Sequence, residues 1–222
     1  MALNKLKYNS LNVTPVAGKA ISFDSDPDAL EATLEGGAMT FIKKLTASSS
    51  GTLSFVDGSS SVVLDNTYKE YIFIFNNIHP SADGANFGFN MSIDSGSNYN
   101  VTKTTTWFRS QQRENGTDTQ LNYDTDQDLA QSTSDANIGT RALDNDDDSS
   151  NSGTLHLFNP SSTTFVKHFI SKMQGNETSS PNYSMNAFCA GYGNTTSAVN
   201  AVQFKMSSGN IDAGTITLYG IN

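Results

Sequence analysis

The chain is short of most things that staple, anchor or charge a protein. It has one cysteine, Cys189, so neither an intrachain disulfide nor a cysteine-based zinc site can form. No apolar run approaches the roughly 18 residues a membrane helix needs, and Met1-Ala-Leu-Asn-Lys-Leu-Lys7 has no apolar core of a secretory leader. Membrane insertion and signal-directed secretion are therefore not expected. Charged residues make up only 16%, against roughly 25% in ordinary domains. Thirteen basic side chains face 22 acidic ones, a net charge of −9. Nucleic acid is excluded as the expected partner, because neutralising phosphates needs clustered Lys and Arg. Glutamate is scarce too: Glu31, Glu35, Glu70, Glu114 and Glu177 are the whole set. None has an acidic partner two residues on, as a β-sandwich glycosidase often has. Gly-x-Ser-x-Gly and His-Glu-x-x-His are both missing. These absences predict a protein that is not an enzyme.

What fills the space is serine (29), threonine (23) and asparagine (23), a third of the 222 residues. Their side chains compete for backbone hydrogen bonds and disfavour helix interiors. Strand signals recur from Ala38 onward. Met39 to Leu45, Thr52 to Val56, Tyr71 to Phe75 and Asn86 to Ile93 are four of them. Thr104 to Ser110, Thr154 to Phe158, Thr163 to Met173, Met185 to Tyr192, Val199 to Met206 and Thr215 to Gly220 continue the series. Tyr71-Ile-Phe-Ile-Phe75 is apolar on both faces, which predicts a central strand covered on both sides. Phe87, Phe89, Met91 and Ile93 alternate with polar residues, which predicts one face in water. No internal repeat argues for a propeller or solenoid. The predicted fold is all-β, an antiparallel β-sandwich or jelly roll over residues 37–222, preceded by an N-terminal arm over residues 1–36.

The acidity is concentrated. Glu114 to Asp148 holds ten acidic residues and one basic residue, Arg141, so the rest of the chain is neutral. This predicts a long solvated acidic loop insertion at about 111–152. Within it, Asp124, Asp126 and Asp128 fall at the first, third and fifth positions of a calcium loop, with Asp135 at the twelfth. Asp144, Asp146 and Asp148 repeat the spacing. Both runs lack the glycine an EF-hand requires at position six, so these six aspartates are candidate ligands for loosely held calcium rather than an EF-hand. No other cofactor is expected. His156 and His168 lie about one hairpin apart, and His79 before Pro80 marks a turn. Cys189, between Phe188 and Ala190, reads as a buried inert thiol. Trp107, Tyr123 and Tyr183, with Phe108 beside the tryptophan, are candidate stacking platforms for a glycan.

Four segments resemble structural proteins of marine tailed bacteriophages, cyanophages among them. They are Leu3-Asn-Lys-Leu-Lys-Tyr-Asn-Ser-Leu-Asn-Val-Thr-Pro15, Asp65 to Pro80, Leu155-His-Leu-Phe-Asn-Pro-Ser-Ser-Thr-Thr-Phe165, and Phe204 to Ile221. The resemblance covers both ends and the middle, with the acidic insertion as the divergent part. It implies a virion component assembled in the host cytoplasm, with other capsid or tail proteins as partners, and a homo-oligomer, a trimer in the first place. The leading expectation is a capsid decoration or head-surface protein docking through residues 1–36. The alternative is a tail fibre, spike or adaptor module whose loops bind host glycans.

Overall fold

Alternating strand sequence with little helix propensity leaves the backbone one way to satisfy its polar groups, the inter-strand ladder. The computed structural model describes residues 22–23, 30–31, 38–177 and 182–222. Among them are fourteen strands and no helix. The chain divides into two compact units, residues 1–37 and 38–222. In the first, β1 (Ser22–Phe23) pairs antiparallel with β2 (Leu30–Glu31). The rest of the expected arm lies outside the described residues.

The second unit is a sandwich of two antiparallel sheets. Its strands are β3 (Met39–Thr46), β4 (Leu53–Val56), β5 (Glu70–Pro80), β6 (Phe87–Ser92), β7 (Lys103–Arg113) and β8 (Thr119–Tyr123). They continue with β9 (Ala136–Asn137), β10 (Asn151–Phe158), β11 (Lys167–Glu177), β12 (Tyr183–Gly193), β13 (Ala201–Met206) and β14 (Ile211–Ile221). The larger sheet has eight strands in the order β3-β14-β5-β10-β11-β12-β7-β8, and the smaller has four, β4-β13-β6-β9. Register slips once along β14 opposite β3 and twice opposite β5. Gly214, at φ 112°, sits within one of the slips against β5, a conformation that favours glycine.

Period-two alternation drives the inward residues of both sheets into one core. Phe204 of β13 lies at its centre, with ring centroids 5.2 Å from Phe73 and Phe75 of β5 and 5.8 Å from Phe87 and Phe89 of β6. Phe55 of β4 packs on the same ring at 6.2 Å, and Phe89 reaches Phe169 of β11 at 5.1 Å. Most of these pairs are edge-to-face, the arrangement the ring quadrupole favours.

Three expectations change. The acidic insertion is not loop throughout. It supplies the edge strand β8 to the larger sheet and the edge strand β9 to the smaller one, and it buries Ile138 and Leu143 completely. Sparse apolar residues suffice because the remaining backbone bonds come from neighbours: Thr105 N–H donates to the Leu129 carbonyl at 2.9 Å, and Ile138 N–H to that of Phe87 at 3.0 Å. Second, the polar face of β6 does not meet water. Asn90 and Ser92 are buried: the insertion crosses over Asn90, whose Nδ2 donates to the Thr133 carbonyl at 3.0 Å, and the turn after β6 folds back on Ser92, whose hydroxyl donates to Asp94 and accepts from Gly96 N–H. Third, β5 is central, as its pattern predicts, but the described residues cover only its aromatic face. Tyr71, Phe73 and Phe75 are buried, while Ile72 and Ile74 are half-buried on the opposite face.

Candidate binding surface

The exposed face of the eight-stranded sheet is built by the same alternation that builds the core. Cross-strand register lines up Tyr123, Phe108 and Phe188 with Lys172, Thr154 and Ile74 across six strands. The next row runs Thr106, Ala190, Ile170, His156, Ile72, Tyr219 and Phe41. Large apolar side chains stand in the open along both rows. Phe41 is 58% exposed, and Phe108 and Ile170 are also exposed. Phe108 and Phe188 stack with centroids 4.9 Å apart and planes 26° from parallel. Phe41 meets Tyr219 edge-on at 5.9 Å. On the far side of the second row, Ala190 and Gly191 leave a hollow of about 470 Å³ walled by Phe158, His168, Ile170 and Tyr192. Isolated exposed apolar residues are ordinary, but here several recur on one face, interrupted by Lys172, Thr154, Thr106 and His156.

Charge on this face is sparse: Lys172 is exposed, and Glu70 pairs with a histidine. His156 Nδ1 lies 2.5 Å from a Glu70 carboxylate oxygen. His156 stands opposite Ile170, and His168 opposite Tyr192. The two histidines therefore occupy neighbouring strands of one face, but each has its own partner. His79, at the end of β5, has Nε2 3.1 Å from the Asp146 carbonyl and Nδ1 4.0 Å from Asp212.

The six candidate calcium ligands do not converge. Asp124 Oδ2 accepts a 2.9 Å hydrogen bond from Arg141. Asp128 accepts from the Tyr123 hydroxyl, at 2.5 Å. Asp126 and Asp128 both line a hollow of about 340 Å³, with Asn137, Asp135 and Lys205. Asp146 offers its backbone carbonyl to Ser149 N–H, and Asp148 takes a 3.3 Å bond from Asn182. Asp144 is half-buried where Ser149 Oγ accepts from its backbone N–H. Among the described residues, no group of three or more acidic, histidine or cysteine side chains is placed to hold a metal.

The three candidate stacking residues part company. Trp107 is fully buried on the inward face of β7 and has no ring face to offer. Tyr183 is buried, its hydroxyl donating to Asp118 at 2.8 Å and its ring under the Arg113 guanidinium at 4.6 Å. Only Tyr123 stands in the open, 52% exposed, opposite Phe108. The hydrogen bond to Asp128 raises its phenol above the ordinary value. Cys189 is buried, and burial pushes its thiol up to about 12, which makes it inert.

The residues that make the surface, Phe41, Ile72, Ile74, Ile170, Phe188 and Tyr219, were not singled out from the sequence. Their signal was the two-faced apolarity of Tyr71 to Phe75, which predicts cover but not where it comes from. No family model, curated protein or solved structure matches this chain.

Proposed function

We propose that this chain is a structural component of a phage particle, a decoration or other head-surface protein. Residues 1–36 serve as its docking arm, and neighbouring subunits cover the open face of its larger sheet. The observation that carries the reading is that face: Ile72 and Ile74 of a central strand are only half-buried, and Phe41, Ile170 and Phe108 on the same face are exposed. Apolar area of this kind is stabilised at about 25 cal/mol per Å² when a partner removes it from water.

Strand order supports the same reading. Taking β7–β8 and β11–β12 as insertions leaves a frame of eight strands in the second unit. In chain order, the first, eighth, third and sixth form one sheet, and the second, seventh, fourth and fifth form the other. That order is the double Greek key of a jelly roll, an architecture that recurs in viral capsid and lectin domains. Fold alone does not assign function. The uncovered face and the resemblance of four segments to phage structural proteins supply the rest.

Quantitative mass spectrometry of purified particles tests the proposal. A copy number comparable to the major capsid protein, or to the number of capsomers, is the expected result. Phe41→Lys together with Ile170→Lys is expected to leave the unfolding midpoint unchanged and to block incorporation. Absence of the protein from particles overturns the reading. A second reading has its own observation: Tyr123, Phe108 and Phe188 form one aromatic strip, the platform a tail module would use to stack on host glycans. A small multiple of three or six copies per particle, with glycan binding lost in Phe108→Ala, would favour it.

A further inference from the structure

Lys103 is an unusual cation. It begins β7 and is fully buried. A buried lysine ordinarily sits against a carboxylate, yet no carboxylate among the described residues forms an ion pair with it. Its Nζ donates instead to Asn90 Oδ1 at 2.6 Å and to the Val101 carbonyl at 2.7 Å. Asn90, itself buried, lies on β6 of the opposite sheet. Its Oδ1 also accepts from the Met91 N–H at 2.9 Å, and its Nδ2 donates to Asp135 Oδ1 at 2.9 Å. Asp135 in turn holds Lys205 with its other oxygen, at 2.8 Å. An amine, a side-chain amide and a carboxylate are thus aligned, and the reacting pair is shut away from water.

We propose that Lys103 and Asn90 join in an intramolecular isopeptide bond, with Asp135 carrying the proton. The neutral Lys103 Nζ adds its lone pair to Asn90 Cγ. The charge that develops on Oδ1 is met by the Met91 N–H already bonded to it. Asp135 takes the proton that Nζ loses and delivers it to Nδ2. The Cγ–Nδ2 bond breaks, and ammonia leaves as the carbonyl re-forms. One amine and one primary amide become one secondary amide and one ammonia, so atoms and electrons balance without an oxidant, a nucleotide or a metal.

Three features favour the step. Burial lowers the Lys103 ammonium to about 8, so a share of it is the nucleophilic free amine near neutral pH. The fold holds the reacting groups together, which replaces an encounter by a unimolecular step. The leaving nitrogen already donates a hydrogen bond to the carboxylate that carries the proton. Lys167, the other fully buried lysine among the described residues, makes the contrast. Its Nζ meets only the Phe165 and Thr195 carbonyls, which carry no leaving group it could displace without cutting the chain. The bond would tie the smaller sheet to the larger one at β6 and β7, in a chain whose lone cysteine cannot form an intrachain cross-link.

Intact mass of the purified full-length protein under denaturing conditions decides the matter. The expected wild-type mass is short of the sequence mass by one ammonia. Peptide mapping is expected to recover one branched peptide joining residue 90 to residue 103. Lys103→Ala, Asn90→Ala and Asp135→Asn are expected to restore the full mass and to lower the melting temperature. A wild-type mass equal to the sequence mass overturns the proposal, whether or not the variants fold. So does an ammonia loss that maps to any other position, and retention of the loss in Asp135→Asn overturns the role of that carboxyl.

Discussion

Single side chains show how far this core depends on shape. Phe204 touches five other phenylalanines from three strands and both sheets. Cutting it to alanine removes a buried ring and leaves a cavity its rigid neighbours cannot close. Phe204→Ala should cost about 3–5 kcal/mol, read from urea unfolding. Cys189 gives a test with a sign. The folded thiol sits at about 12 and the ordinary one at 9.0. Between those values the unfolded state has lost a proton that the native state keeps. Stability from this group is therefore complete below pH 9 and falls as pH rises toward 12. Melting curves of the wild type should drop more steeply over that window than those of Cys189→Ala, and iodoacetamide should label Cys189 only after unfolding.

At the scale of elements, the turn after β6 and the acidic insertion behave differently although both are polar. Asp94 accepts from the Ser92 hydroxyl at 2.6 Å and from Asn98 through its side-chain amide at 2.7 Å and its backbone N–H at 2.9 Å. These bonds hold its carboxyl down at about 2. Its support for the turn is present above the ordinary value near 3.8 and is lost as pH falls toward 2. Asp94→Ala should remove that part of the acid dependence, seen in melting curves between pH 5 and pH 2. The run at residues 144–148 makes no such network. Asp144, Asp146, Asp147 and Asp148 replaced together by Asn should shift stability by less than about 0.5 kcal/mol. A large melting shift on calcium addition to the wild type, absent from that variant, would instead establish a metal site.

The whole molecule separates by its own contacts into two units, residues 1–37 and the sandwich of residues 38–222. Among the described residues, the buried aromatic cluster belongs to residues 38–222. Deleting residues 2–36 should therefore leave a cooperatively unfolding β protein by circular dichroism while abolishing incorporation into particles. Normal assembly of the truncated chain would remove the docking role from the arm. The open sheet face belongs to the same scale. The smaller sheet covers the inward face of the larger one, so the apolar rows of the outward face are left for another molecule or another part of the chain to bury.

Local pattern determined the strands. The ten stretches read from alternation all carry strands, because inward and outward faces leave a period of two in the sequence whatever the topology. The all-β class followed from serine, threonine and asparagine, and the buried thiol from its apolar neighbours. Tertiary structure decided everything that depends on what lies across the sheet. The edge strands β8 and β9 were illegible because their bonds come from β7 and β6 rather than from apolar alternation of their own. Trp107 and Tyr183 looked like Tyr123 as sequence, and only the pleat turned two of them inward. Asn90 and Lys103, both polar and thirteen residues apart, gave no signal at all. Their meeting is made by two sheets closing on one another, and the low dielectric of that closed space gives the meeting its chemistry.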